Sequence, residues 1–188
     1  MDNPEHISTI LERLPIMENF KQWVLDNMEI VCDTREKENW HIRGAFTELG
    51  GKYTIETLKT GDYACRINGE IQTGLLIERK NSLDELATNI TTHQARFERE
   101  LQRAADSQSK LILLVERGNY DGLFERNYRA KVSDKAFQTT LFTYQERYGL
   151  ETVFIAPQHA GRYIFNRFYY HIREGLKQKT GGGISATE

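Results

Sequence analysis

Residues 70–90 read EIQTGLLIERKNSLDELATNI, and this stretch sets the class of the domain. Asn68-Gly69 stands immediately before it, a dipeptide suited to the positive-φ turn of a two-residue hairpin. The first half is therefore expected to return antiparallel to the strand before the turn. Side chains on a strand alternate between faces, so Glu78 and Lys80 project from one side, Ile77 and Arg79 from the other. The second half opens with Ser82 and, three positions on, Glu85, the mark of a capping box. From there Leu83, Leu86, Ala87, Ile90, Phe97, Leu101 and Ala104 share one apolar face, which predicts a single long helix.

Outward from this centre, strands and helices alternate. EIVCD (29–33) is a short apolar strand ending in a carboxylate, and the charged turn TREKEN leads into a short helix at 39–48 that closes at Gly50-Gly51. KYTIETLKTGDYACRI (52–67) is strand material with a Thr-Gly-Asp corner. KLILLVE (110–116) is an unbroken apolar run, as in a strand covered on both faces. Residues 119–148 read as mostly helical, ETVFIA (151–156) as a strand and 158–179 as a last helix. The expectation is an α/β fold, a central mixed sheet flanked by helices. Three segments are expected: a helical extension at 1–28 interrupted by Pro15, a domain at 29–179, and a flexible tail at 180–188.

Composition narrows the function. With 25 basic and 27 acidic residues the net charge is −2, and 39% hydrophobic content supports a packed core. No apolar run approaches the ~18 residues of a membrane span, and the N-terminus lacks a charged-then-apolar signal pattern. An intracellular protein without a membrane anchor is expected. Cys32 and Cys65 show no CxxC spacing, which excludes a disulfide framework and a structural zinc site. The five histidines make no metal pattern, and neither a serine elbow nor a P-loop is present.

The chemistry-bearing residues are acidic positions at or just past strand ends: Asp33, Glu36, Asp62 and Glu78, with Lys80 two residues after Glu78. A carboxylate and an ammonium on one strand face, near further carboxylates, suit metal-assisted phosphodiester hydrolysis. Hard cations such as Mg²⁺ take oxygen ligands and keep several waters. The lysine can orient the attacking water and offset charge building on the phosphate. Singly, each residue has a plainer reading, as a turn or cap carboxylate or as a surface ion pair. Their order carries the argument.

Asp33-Thr34-Arg35-Glu36, Gly61-Asp62-Tyr63 and Glu78-Arg79-Lys80, with Asp84 four residues later, resemble the nuclease motifs of the XPF-type structure-selective endonucleases. Arg96 and the LILLVE strand match that family's later pattern, and the resemblance spans residues 29–177. It implies a restriction-endonuclease-like (PD-(D/E)XK) fold and Mg²⁺- or Mn²⁺-dependent cleavage of DNA, on branched or flap-like substrates in repair or recombination. By the same resemblance Asp33, Asp62, Glu78 and Lys80 are catalytic, Asp33, Glu36, Asp62 and Glu78 surround the metal, and Arg35, Arg79, Asp84 and Arg96 bind DNA or hold structure. Asp84 has the alternative of a first-turn helix carboxylate.

Two departures leave alternatives open. Glu78 follows Asp62 by 16 positions, a longer hairpin than the family's, which reads as an extended turn. The chain also has no room for the family's paired helix-hairpin-helix domain or helicase region. A Holliday-junction resolvase, a general duplex nuclease and an inactive DNA-binding scaffold subunit are therefore rival readings; the intact acidic set argues against the last. Substrate choice then falls to a dimer, a protein partner or another surface, and a compact module of this kind suits a bacterial or phage protein, which would be cytoplasmic. In the last helix Arg162, Arg167, Arg173, Lys177 and Lys179 oppose only Glu174, either a phosphate-tracking stripe or a solvated face. Tyr163, Phe165, Phe168, Tyr169 and Tyr170 run all round it, which predicts a homodimer through this helix, as the family tends to form.

Overall fold

The computed structural model describes residues 20–179. Most of the expected N-terminal extension, and the tail after Lys179, lie outside the described residues. Helix α1 (Phe20–Asn27) leads directly into β1 (Met28–Asp33). There follow α2 (Trp40–Glu48), β2 (Lys52–Glu56), β3 (Tyr63–Ile67), β4 (Glu70–Lys80), α3 (Leu83–Ile90) and α4 (Gln94–Asp106). The second half comprises β5 (Lys110–Glu116), α5 (Tyr120–Phe124), α6 (Asp134–Tyr148), β6 (Glu151–Ile155) and α7 (Pro157–Lys179).

The six strands form one mixed sheet in the order β2-β1-β3-β4-β5-β6. Strand β1 runs parallel to β2 and antiparallel to β3, β3 and β4 form the hairpin, and β4, β5 and β6 are parallel. Alternation along the strands feeds two cores. Val31, Ala64, Leu76, Leu111, Leu113 and Val115 face α3–α6, while Ile30, Cys65, Ile77, Ile112 and Leu114 face α1, α2 and α7. With both faces covered, β5 has no need of polar alternation, and each large apolar side chain fully buried contributes about 1.5–3 kcal/mol. Among the described residues no helix is long and apolar enough to cross a membrane.

Three expectations change. The hairpin is tight: Asn68 and Gly69 both take positive φ (50° and 89°). Its extra length lies inside β4, where the register slips between Tyr63↔Ile77 and Cys65↔Gln72. Gly74 sits in that irregularity, where an added Cβ would stand 2.9 Å from the His171 ring. Second, the single long helix is two. Ser82 caps the first, its Oγ accepting from Glu85 N at 3.3 Å, but Thr91 leaves the helical region (φ −117°, ψ −82°) and α4 restarts at Gln94. Hydroxyls of Thr88 and Thr91 donate back to the carbonyls of Asp84 and Ala87, bonds that compete with a regular helix. The apolar face survives the break because Ile90 and Phe97 enter the same core. Third, the aromatic girdle of α7 serves the chain's own packing. Phe165 and Phe168 are buried, Tyr163 and Tyr169 pack against the same core, and Tyr170 alone of the five is largely exposed.

Candidate active site

Strands β1 and β4 end at the same edge of the sheet, on either side of the start of β3, and are linked through the corner at Gly61-Asp62. Asp62 N donates to the Ile77 carbonyl at 2.8 Å, and the Asp62 carbonyl accepts from Asp33 N at 2.8 Å. Gly61 holds φ +76°, and a Cβ there would stand 3.2 Å from the Ile77 carbonyl, so the corner needs glycine. It aims the Asp62 carboxylate at the end of β4, where Oδ2 accepts from Arg79 N at 2.8 Å. Glu78 and Lys80 lie on the same side of the sheet, each 5% exposed. Lys80 Nζ pairs with Glu78 Oε1, lies 3.9 Å from Glu85 and sits 5.6 Å from the centre of the Phe97 ring. Together with Glu36 and Glu100 these groups line a cleft of about 380 Å³.

Burial, reinforced by the crowding of carboxylates, sets the electrostatics. Burial, then the neighbouring Glu36 and Glu100, pushes the Asp62 carboxyl well above its ordinary range against the pull of Lys80. Burial and the Asp62 charge do the same to Glu78. Burial alone would depress Lys80, but Glu78 and Asp62 outweigh it and keep the ammonium charged. Glu78 Oε2 is buried without a hydrogen-bond partner. Such a group carries a full desolvation penalty unless something polar reaches it.

Among the described residues no three His, Cys, Asp or Glu side chains stand ready around one point as a metal cage. That is no obstacle to Mg²⁺, which is usually held by one or two carboxylates, waters and substrate phosphate. Asp62 and the orphaned Glu78 oxygen fit that requirement.

Not every residue singled out from the sequence joins them. Asp33 is fully buried and lies outside the cleft lining. Its oxygens accept from Arg35 N (2.8 Å), Arg35 Nε (2.6 Å), Arg35 Nη2 (3.0 Å) and Leu58 N (2.6 Å). Burial would raise its carboxyl, but these hydrogen bonds hold it below the ordinary value. Asp33 thus hangs the 57–62 loop on β1. Arg35 reaches the cleft wall while gripping Asp33 and the Leu58 carbonyl. Arg79 crosses to the opposite face, forking onto Glu116 at 2.8 and 3.0 Å and onto Glu36 at 2.5 Å. Glu36 therefore lines the cleft already bound to Arg79. Asp84 lies outside it, accepting from Arg129 N at 2.6 Å and Nε at 3.1 Å. Arg96 lines the rim and is exposed.

Sequence reasoning missed Glu100. It is 9% exposed on the apolar stripe of α4 with Phe97, Leu101 and Ala104, and it accepts from Gly61 N at 3.2 Å. A carboxylate at a core position was the signal.

A mixed sheet with helices on both faces, carrying buried carboxylates and a lysine where β1 and β4 end, defines a restriction-endonuclease-like domain. The family model of the ERCC4 domain matches residues 32–166, and the chain belongs to that family. Among solved structures it is similar to "XPF from Aeropyrum pernix", with 21% identity, a TM-score of 0.56, and 78% of this chain and 69% of that one covered. It is likewise similar to "XPF from Aeropyrum pernix, complex with DNA", with 20% identity, a TM-score of 0.55, and 81% and 64% covered. The chain thus spans about two thirds of the length of these neighbours, and the likeness establishes the shared fold. No curated protein matches the chain significantly.

Proposed function

We propose that the chain is a divalent-metal-dependent endonuclease that hydrolyses phosphodiester bonds of branched or flap-like DNA. The observation that carries this is the convergence of Asp62, Glu78 and Lys80 in one cleft, with a buried Glu78 oxygen left unpartnered. Membership of the ERCC4-domain family supports it, as does the DNA-bound neighbour from Aeropyrum pernix. Asp62 and Glu78 would hold Mg²⁺ or Mn²⁺, bordered by Glu36 and Glu100. When bound, the cation supplies polarisation of a phosphoryl oxygen and a bound water of lowered pKa. Lys80, fixed by Glu78 and by packing against Phe97, presents an ammonium to the water and to the charge developing on phosphorus. Arg35 and Arg96 meet the flanking phosphates at the rim. Asp33 positions Asp62 through the loop rather than by touching the reacting atoms. No side chain becomes covalently attached, and the products carry 5′-phosphate and 3′-hydroxyl ends.

The homodimer expected through α7 loses its aromatic argument, since four of the five rings pack on the chain's own core. Its basic stripe is also partly paired, with Arg167 near Glu151 (3.4 Å) and Lys177 near Glu174 (3.4 Å). Light scattering at micromolar concentration separates monomer from dimer.

The test is cleavage of labelled flap, fork, four-way-junction and linear duplex DNA with Mg²⁺, Mn²⁺ or EDTA. Asp62→Asn, Glu78→Gln and Lys80→Ala should each lower the rate at least ~10²-fold, the size of losing one electrostatic catalytic group, while remaining folded. Equal cutting by all four proteins refutes the assignment. The substrate panel separates a branch-selective enzyme from a junction resolvase or a general duplex nuclease.

A further inference from the structure

The sheet edge that carries the acidic cleft has a second cleft, of about 430 Å³, on its other face. Its walls come from the ends of three adjacent parallel strands: Arg79 and Asn81 at β4, Arg117 just past β5, and Pro157-Gln158 after β6. Trp40 and His41, at the start of α2, close it. In open α/β sheets ligands bind outside the carboxyl ends of strands.

The wall is built rather than incidental. Trp40 is 73% exposed, an indole that the chain's own core does not use. It rests edge-on against His41, with centroids 5.7 Å apart at 77°. His41 in turn stands 3.0 Å from the buried Glu116, which the Arg79 fork holds. The indole is therefore mounted on a rigid polar ledge. Arg117 takes φ 45°, uncommon for a residue with a side chain. The next residue, Gly118, has no space for a Cβ, which would stand 2.7 Å from Leu83. Arg117 Nη1 donates to Asn81 Oδ1, which steadies the guanidinium at the cleft wall. Glu38 places one opposing charge on the lining. Arg79 borders both clefts, so a strand crossing the sheet edge meets them in succession.

We infer that this second cleft is a subsite for an unpaired nucleotide of the DNA substrate, its base stacking on Trp40 and its phosphate met by Arg117. The inference rests on the nuclease reading of the acidic cleft and adds the feature it selects. Aromatic stacking tolerates any base, but a base inside a duplex has its faces covered by its neighbours. Trp40 therefore favours DNA with a single-stranded arm next to the cut over continuous duplex.

Binding is measured with the full chain in EDTA, so that no strand is cut. Oligo(dT) should quench indole emission in the wild type and leave Trp40→Phe unquenched, while blunt duplex should quench neither. Trp40→Ala should weaken binding of a flap DNA about tenfold, with Trp40→Phe retaining most of the affinity and duplex binding unchanged by either. Arg117→Ala should lower the salt dependence of flap binding by about one phosphate contact. Quenching that is absent, or that persists in Trp40→Phe, overturns the inference, as does a Trp40→Ala protein that binds the flap as tightly as wild type. Cleavage of the same DNAs with Mn²⁺ keeps the two readings apart. Trp40-dependent quenching without cleavage removes the nuclease and leaves the subsite. Cleavage with an indifferent Trp40 does the reverse.

Discussion

Replacing Arg79 with methionine tests the buried pairing that separates the two clefts. The Arg79 side chain is 4% exposed and its main partner Glu116 is 0% exposed. The substitution keeps an unbranched side chain out to about the Nε position and removes the guanidinium with its fork at 2.8 and 3.0 Å and its bond to Glu36, leaving Glu116 with His41 at 3.0 Å. Removing one partner of a buried pair strands the other charge, at a cost of about 3–5 kcal/mol. That is a large share of the roughly 5–15 kcal/mol that holds a domain folded. Exchanging both members of this pair for apolar groups removes the stranded Glu116 charge, while Glu36 still loses its Arg79 contact and His41 its Glu116 contact, so Arg79→Met with Glu116→Leu should recover part of the loss.

The pH dependence has a definite sign. In the wild type, burial acts to raise the Glu116 carboxyl, but hydrogen bonds from Arg79 and His41 outweigh it and hold the group below its ordinary 4.5. Its stabilisation is therefore present above that value and lost as pH falls through the folded pKa. Without Arg79 only His41 opposes the effect of burial, so the folded pKa is expected to rise above 4.5. The variant's contribution is then present below 4.5 and lost as pH rises. The gap between the two proteins should widen from about pH 4 to about pH 7. Urea unfolding at several pH values, with unchanged m, measures it. A loss under ~1 kcal/mol at neutral pH, a gap that does not move with pH, or a double variant as unstable as the single one refutes the reasoning.

Glu100→Gln should fold normally and bind Mn²⁺ about 10–100-fold more weakly by calorimetric titration, as when a group supporting metal ligands is altered; unchanged affinity would reduce Glu100 to a tie on Gly61. Asp33→Asn should lose at least ~2 kcal/mol in urea unfolding at neutral pH, since one of the two oxygens accepting from Arg35 and Leu58 becomes an amide. Cleavage should fall with it, because the loop carrying Asp62 hangs on Asp33; wild-type stability in this variant would contradict that role. As the Asp33 carboxyl is held below 3.8, its contribution is present above that value and fades in acid.

Much of this architecture was open to direct reading. Period-two alternation put Glu78 and Lys80 on one face and Arg79 on the other, and Asn68-Gly69 marked the hairpin, because both follow from backbone geometry within a few residues. The bulge in β4 and the break between Ile90 and Gln94 did not show. Both keep the apolar pattern intact on either side, and pattern is what a sequence displays.

Chain order and local chemistry by themselves determined the alternation of elements, the doubly covered sheet and the presence of acidic residues and a lysine at strand ends. Only the folded molecule decided the use of each one: Asp33 is bound by Arg35 and Leu58, Arg79 by Glu116 and Glu36, and Glu100 enters the cleft from a helix. The reason is physical. Strand order β2-β1-β3-β4 and the packing of α4 bring together groups far apart in the chain. A carboxylate's role depends on which donors reach it there, a question of distance and burial that residue type alone does not answer.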